Sequence, residues 1–161
     1  MFFTFVLTAL CAALVPILAL PAPDGSTIGP RATLELFPNL IINVDKANPG
    51  STAASGYIAT MSPQQVSLFS FDIPYDISPT CTLNFQLPSP GSIFHDTVVG
   101  SGVMDVTSID GVFGTPTSYG AVSPLLGASY GTVKASLGGG TSSIGVPCSA
   151  GSTFQVVCFE N

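Results

Sequence analysis

The chain has 161 residues, with three basic and nine acidic side chains, a net charge of −6 and only 7% charged residues. So few cations cannot neutralise a phosphate backbone at several points, which excludes nucleic acid as a partner. Ser, Thr, Gly and Pro fill the spaces between apolar runs, so solubility rests on hydroxyl and amide groups, a balance that suits an acidic extracellular setting and leaves a sticky surface.

Residues 2–20 are apolar except for Thr4, Thr8 and Pro16, and they run into A-L-P-A-P-D. This reads as a secretory leader, residues 1–19, cut after Ala19, with a cut after Ala22 as the runner-up. The usual positive start is missing, and an apolar run of this length can also span a bilayer as an uncleaved anchor. Pro16 interrupts the helix that an anchor would need. Roughly 140 residues remain beyond the leader, enough for one domain with one core. Residues 20–30 read as a flexible Pro/Gly arm, and residues 31–161 as the domain.

Strand signals begin with T-L-E-L-F at 33–37, which alternates, and the β-branched L-I-I-N-V at 40–44. G-Y-I-A-T-M at 56–61 comes next, then V-S-L-F-S-F-D-I at 66–73, which enters an Asp-Ile-Pro turn. In the next run Cys81, Leu83, Phe85 and Leu87 share one face, while Thr82, Asn84 and Gln86 share the other. Pro74, Pro79 and Pro88 punctuate its ends, so it reads as one half-buried antiparallel strand. T-V-V-G-S-G-V-M-D-V at 97–106, a looser T-S-Y-G-A-V at 117–122 and T-F-Q-V-V-C-F-E at 153–160 complete the set. The 125–137 stretch carries no helical period and is broken by Gly127 and Gly131, and Gly138–Gly140 reads as a flexible loop without the Lys-Ser/Thr of a phosphate-binding loop. Strand spacing near a dozen residues with Gly/Pro turns predicts an all-β, single-domain antiparallel β-sandwich with little helix. Phe71, Leu83, Phe85, Phe154 and Val156 are its expected core.

Cys11 leaves with the leader, and Cys81, Cys148 and Cys158 enter an oxidising compartment where disulfides persist. Three cannot all pair internally. No Asn-x-Ser/Thr acceptor occurs, the Ser and Thr remain open to O-linked sugar, and Phe159-Glu160-Asn161 carries no lipid-anchor signal.

The F-D-I-P run at 71–74, C-T-L-N-F-Q-L-P at 81–88, V-G-S-G-V-M-D-V at 99–106 and P-C-S-A-G-S-T-F at 147–154 together resemble the fungal family called ubiquitin 3 binding protein, C-terminal domain. The order and spacing of these segments, which span most of the mature chain, carry the resemblance. It implies a small all-β domain of secreted or wall-associated proteins. The family name derives from binding to an activating enzyme of a ubiquitin-like modifier inside the cell, a partner that a chain with a secretory leader would not meet. The resemblance also implies a Cys81–Cys148 disulfide. Cys158 departs from the family pattern and leaves a second pairing open. By chain entropy a Cys81–Cys148 link closing about 67 residues contributes ~4 kcal/mol, and a Cys148–Cys158 link closing about ten contributes ~2.7 kcal/mol. The first is expected, with Cys158 as a small buried hydrophobe.

Candidate chemistry is thin. G-A-S-Y-G at 127–131 fits the Gly-x-Ser-x-Gly elbow of serine hydrolases, but that elbow needs a strand before Ser129 and a helix after it, and neither is read there. His95 is the sole histidine, in a Gly/Ser-rich loop beside Asp96; neighbours on an extended chain point apart, so the two make a poor catalytic pair. A zinc site lacks ligands. Asp72 and Asp76 flank the Ile-Pro-Tyr turn, and Asp105 and Asp110 flank what reads as a short loop, without the spacing of a calcium loop. Asp72 is expected to cap its turn. No metal or other cofactor is expected.

The leading expectation is a secreted, non-catalytic protein of the extracellular space or cell wall with a structural or recognition role. Its partner is unassigned, wall polysaccharide or another extracellular protein being the candidates. The alternatives are a carbohydrate-binding or surface-interaction module using exposed tyrosines, and a hydrolase using Ser129 or paired aspartates.

Overall fold

A computed structural model of the protein describes residues 34–75, 80–87, 98, 101–135, 138 and 141–160, the side chain of Thr141 excepted. The chain divides into two compact units, Met1–Glu35 and Leu36–Asn161. The leader and the Pro/Gly arm lie outside the described residues, and every strand among the described residues belongs to the second unit.

The strands are β1 (Leu40–Asp45), β2 (Thr52–Ala53), β3 (Ser55–Gly56), β4 (Gln65–Asp72), β5 (Thr80–Gln86), β6 (Val103–Ile109), β7 (Thr117–Ser118), β8 (Leu126–Lys134), β9 (Thr141–Pro147) and β10 (Thr153–Glu160). One helical turn, α1 (Tyr119–Val122), and a 3-10 turn (Ser123–Leu125) separate β7 from β8. The fold is the all-β, antiparallel, disulfide-stapled one that the sequence predicts. Its sandwich is uneven. A six-stranded sheet in the order β3-β1-β4-β10-β6-β8 forms the body, and β5 with β9 and β2 with β7 form two separate two-stranded ribbons.

Both faces of the large sheet are covered, which explains why β10 carries a near-continuous apolar run and β4 buries residues on both of its sides, the serines Ser67 and Ser70 included, rather than alternating strictly. On one face Ile42, Val44, Val66, Leu68, Ile109 and Val157 pack with Phe113 and Val122. On the other, Met104, Val106, Val133, Val156 and Cys158 pack under Phe69, Phe71 and Phe154, and under Leu83, Phe85 and Ile144 of the β5–β9 ribbon. The alternation of 80–86 is seen as expected: Cys81, Leu83 and Phe85 turn inward, while Thr80, Thr82, Asn84 and Gln86 are exposed. Of the five residues expected as core, Val156 is fully buried, whereas Phe71, Leu83, Phe85 and Phe154 are half-buried against it. The centre of the core lies instead at Ile42, Leu68, Val106 and Val157.

Polar groups inside are paired. Gln155 is buried; its Oε1 accepts from the Phe113 N–H at 3.0 Å and its Nε2 donates to Ser70 Oγ at 3.2 Å, tying the β6–β7 loop to the sheet. Ser67 Oγ donates to Asn43 Oδ1 at 2.7 Å and accepts from the Thr60 N–H at 3.0 Å. Those bonds, together with Asn43 Nδ2 donating to the Ile58 carbonyl at 2.8 Å, hold residues 57–61 without a strand ladder, so the strand expected at 56–61 reduces to Ser55–Gly56. The 34–37 stretch is likewise not strand.

Three further expectations shift. T-S-Y-G-A-V becomes two strand residues and a helical turn, because Ser118 caps the turn by accepting from the Ala121 N–H at 3.3 Å. The strand expected at 97–106 lies at Val103–Ile109. The 125–137 stretch, read only as non-helical, supplies β8. Its glycines serve that strand: Gly127 lies so close to Ser108 and Asp110 that a Cβ would collide with both, and Gly131 takes φ +124° next to a register shift against β6. The register steps from Gly131 to Ser129, leaving Tyr130 as the extra residue of a β-bulge, which aims its ring at Phe154 with centroids 6.1 Å apart.

Candidate functional site

Two segments singled out in the sequence, F-D-I-P at 71–74 and P-C-S-A-G-S-T-F at 147–154, meet at one end of the β4–β10 pair. Thr153 sits opposite Asp72 in the ladder. Beyond the ladder, the Ile73 N–H donates to the Ser152 carbonyl at 2.9 Å, and the Gly151 N–H donates to the carbonyls of Ile73 at 2.9 Å and Pro74 at 3.2 Å. Ser152 Oγ donates to the Ser149 carbonyl at 2.6 Å, closing the β9–β10 turn. Gly151 has φ +71°, a conformation that L side chains rarely adopt, and a Cβ there would run into the Tyr75 ring. Glycine is therefore required twice at this position, for its backbone and for the close approach of an aromatic face.

The outcome is a shallow, open depression of about 320 Å³ lined by Asp72, Ile73, Pro74, Tyr75, Gly151, Ser152 and Thr153. Tyr75 is 88% exposed although its ring rests on Gly151. Asp72 Oδ2 accepts from Asn39 Nδ2 at 2.6 Å, and Thr153 Oγ1 donates to Oδ1 at 3.4 Å. These bonds run laterally to flanking segments and fix the carboxylate at the rim, a role distinct from the turn cap expected of Asp72.

Cys81 and Cys148 form a disulfide with Cα atoms 5.7 Å apart. Cys81 belongs to the β5–β9 ribbon rather than to the central sheet, and Cys148 comes directly after β9, three residues before Gly151, so the bond anchors the turn that carries one wall of the depression. Cys158 is free and buried, and burial pushes its thiol up to about 12.

The other candidates are scattered. Ser129 lies within β8, where its Oγ accepts from the Gly131 N–H at 3.2 Å and no helix comes after it, so the elbow setting is not present. Asp105 is inside β6 and Asp110 just beyond its end, so no loop lies between them; five positions of strand separate them by roughly 16 Å and point them to opposite faces. Tyr130, beside Asp110 and bonded to Ser108, has its phenol raised above the ordinary value mainly by burial. His95, Asp96 and Asp76 lie outside the described residues. Among the described residues no group of three His, Cys, Asp or Glu side chains is placed to hold a metal ion.

The fold and its bond define a disulfide-stapled, mostly antiparallel β domain. The chain belongs to the family described as Ubiquitin 3 binding protein But2 C-terminal domain, whose family model matches residues 36–160. Comparison with curated proteins and with solved structures gave no match.

Sequence reasoning missed the Tyr75–Gly151 contact. A clue lies in the lone glycine of S-A-G-S, but only the paired backbone of Ile73, Gly151 and Ser152 brings that glycine under the tyrosine.

Proposed function

We propose that the chain is a secreted fungal protein of the extracellular space or cell wall, non-catalytic, with a recognition or structural role. The single observation that carries this reading is the Cys81–Cys148 disulfide, because such bonds persist in oxidising compartments. The apolar stretch of residues 2–20, with its small-residue exit, supplies the route. Non-catalysis is supported by Ser129, which lacks an elbow, and by aspartates that diverge along β6. The family's name refers to a binding protein; that binding is not assigned to this chain, because a secreted domain is separated from an intracellular partner.

Expression in a secreting host with N-terminal sequencing tests the first part. The secreted protein is expected to start near Leu20 or Pro23, and intact Met1 in a membrane pellet would reverse the reading. An organophosphorus probe is expected to leave the protein unlabelled; stoichiometric labelling lost in Ser129→Ala would make it a serine hydrolase.

A further inference from the structure

We propose that the Tyr75–Gly151 depression is a subsite for one neutral hexopyranose unit of a polysaccharide, an inference that rests on the extracellular reading above and names its ligand class. The chemistry is set by the residues that line the site. A pyranose presents one apolar C–H face and a rim of hydroxyls. An exposed aromatic face accommodates the first by stacking, and a carboxylate with neighbouring hydroxyls accommodates the second.

Tyr75 supplies the ring, 88% exposed and backed by Gly151. Asp72 and Thr153 supply acceptors at the rim, and Ser152, whose Oγ donates its proton to the Ser149 carbonyl, presents its lone pairs. Asp72 receives one bond on each carboxylate oxygen, and an ionised carboxylate has about four acceptor positions, so capacity for sugar hydroxyls remains. The backbone bonds from Ile73, Gly151 and Ser152 hold both walls before any ligand arrives, which lowers the ordering cost of binding.

Charge narrows the class. Among the described residues that line the depression Asp72 is the one acidic side chain and no basic side chain is present, and the whole chain carries −6, so uronic acids and phosphorylated sugars are disfavoured. A proline-rich peptide would need a groove lined by several aromatic rings, and the described residues of the depression supply one.

Isothermal titration calorimetry on the intact secreted protein, with linear β-1,3-glucan, chitin and mannan oligosaccharides as probes, tests the assignment. At least one series is expected to bind. Tyr75→Ala should weaken it by about 10-fold or more, and Tyr75→Phe, which keeps the ring, should stay within about 3-fold. Tyr57→Ala, a fully exposed tyrosine outside the depression, should bind as the unaltered chain does. Because Tyr75 is exposed its removal should leave the fold intact, read by circular dichroism and by an unchanged Cys81–Cys148 link. Should Tyr75→Ala misfold, Asp72→Asn and Thr153→Ala carry the test, and sugar binding unchanged in both would overturn the site. No binding of any probe at millimolar concentration, equal binding by Tyr75→Ala, or Tyr75-dependent binding of a proline-rich peptide in place of sugar would also overturn it. Secretion and sugar release are read on the same material. A secreted, inert chain that binds no oligosaccharide removes the subsite alone, whereas released sugar removes the non-catalytic reading and leaves the Tyr75 dependence standing.

Discussion

Cys158 shows how one buried atom couples stability to pH. Its side chain is fully enclosed among Met104, Val106, Val133 and Val156, and the thiol is pushed from the ordinary 9.0 to about 12 because burial disfavours the thiolate. The folded state therefore keeps a proton that the unfolded state releases. Stability from this group is whole below pH 9 and falls as pH rises from 9 toward 12, by roughly 1.4 kcal/mol per pH unit. Urea midpoints should be flat between pH 6 and 8 and drop above 9, more shallowly in Cys158→Val; an unchanged alkaline slope in that variant would refute the assignment. Tyr130 acts in the same direction, since its phenol is also raised. Gln155 is the polar counterpart. Gln155→Leu strands the Phe113 N–H, which Gln155 Oε1 satisfies, and should cost about 1–3 kcal/mol by denaturant unfolding.

At the scale of elements, legibility in the sequence tracked the cleanness of the pattern. β1, β4, β5 and β10 could be read because their apolar residues either alternate or run unbroken. β8 could not, because its glycines look like breaks; their reason is the packing of Ser108 and Asp110 against Gly127 and the bulge at Tyr130, both of which depend on pairing with β6 and not on the local pattern. β9, T-S-S-I-G-V-P, sets only Ile144 and Val146 on its inward side among Ser, Thr and Gly, too short an apolar alternation to read, so its strand character shows through pairing with β5. Energetics track the observed burial. Leu68→Ala, at 0% exposure, should cost about 2–5 kcal/mol, and Phe85→Ala, half-buried on a ribbon, should cost less than a fully buried phenylalanine's 3–5 or so. Equal losses would mean that the ribbon is packed as tightly as the sheet.

For the whole molecule, the disulfide was legible through the family resemblance, whereas the depression was not, because its walls come from segments nearly eighty residues apart in sequence. Cys81→Ser should lower stability by about 2–5 kcal/mol, and non-reducing peptide maps should recover the 81–148 cross-link with one thiol that alkylates only after unfolding. The bond also has a temporal consequence. The strand ladder of β5 and β9 joins only those two strands, with Ser142 Oγ accepting from the Lys134 N–H of β8 at 3.1 Å as a side-chain tie to the large sheet, and a two-stranded ribbon is marginal in water by itself. It can lift from the sheet without dragging β4, β6 and β10 apart, and the link at its Thr80–Pro147 end keeps the strands together while it does so. Amide hydrogen exchange should therefore run on two separate clocks, a faster one for β5 and β9 and a slower, global one for β4 and β10. Reduction should speed the first far more than the second, making the ribbon a panel whose hinge is chemical rather than conformational.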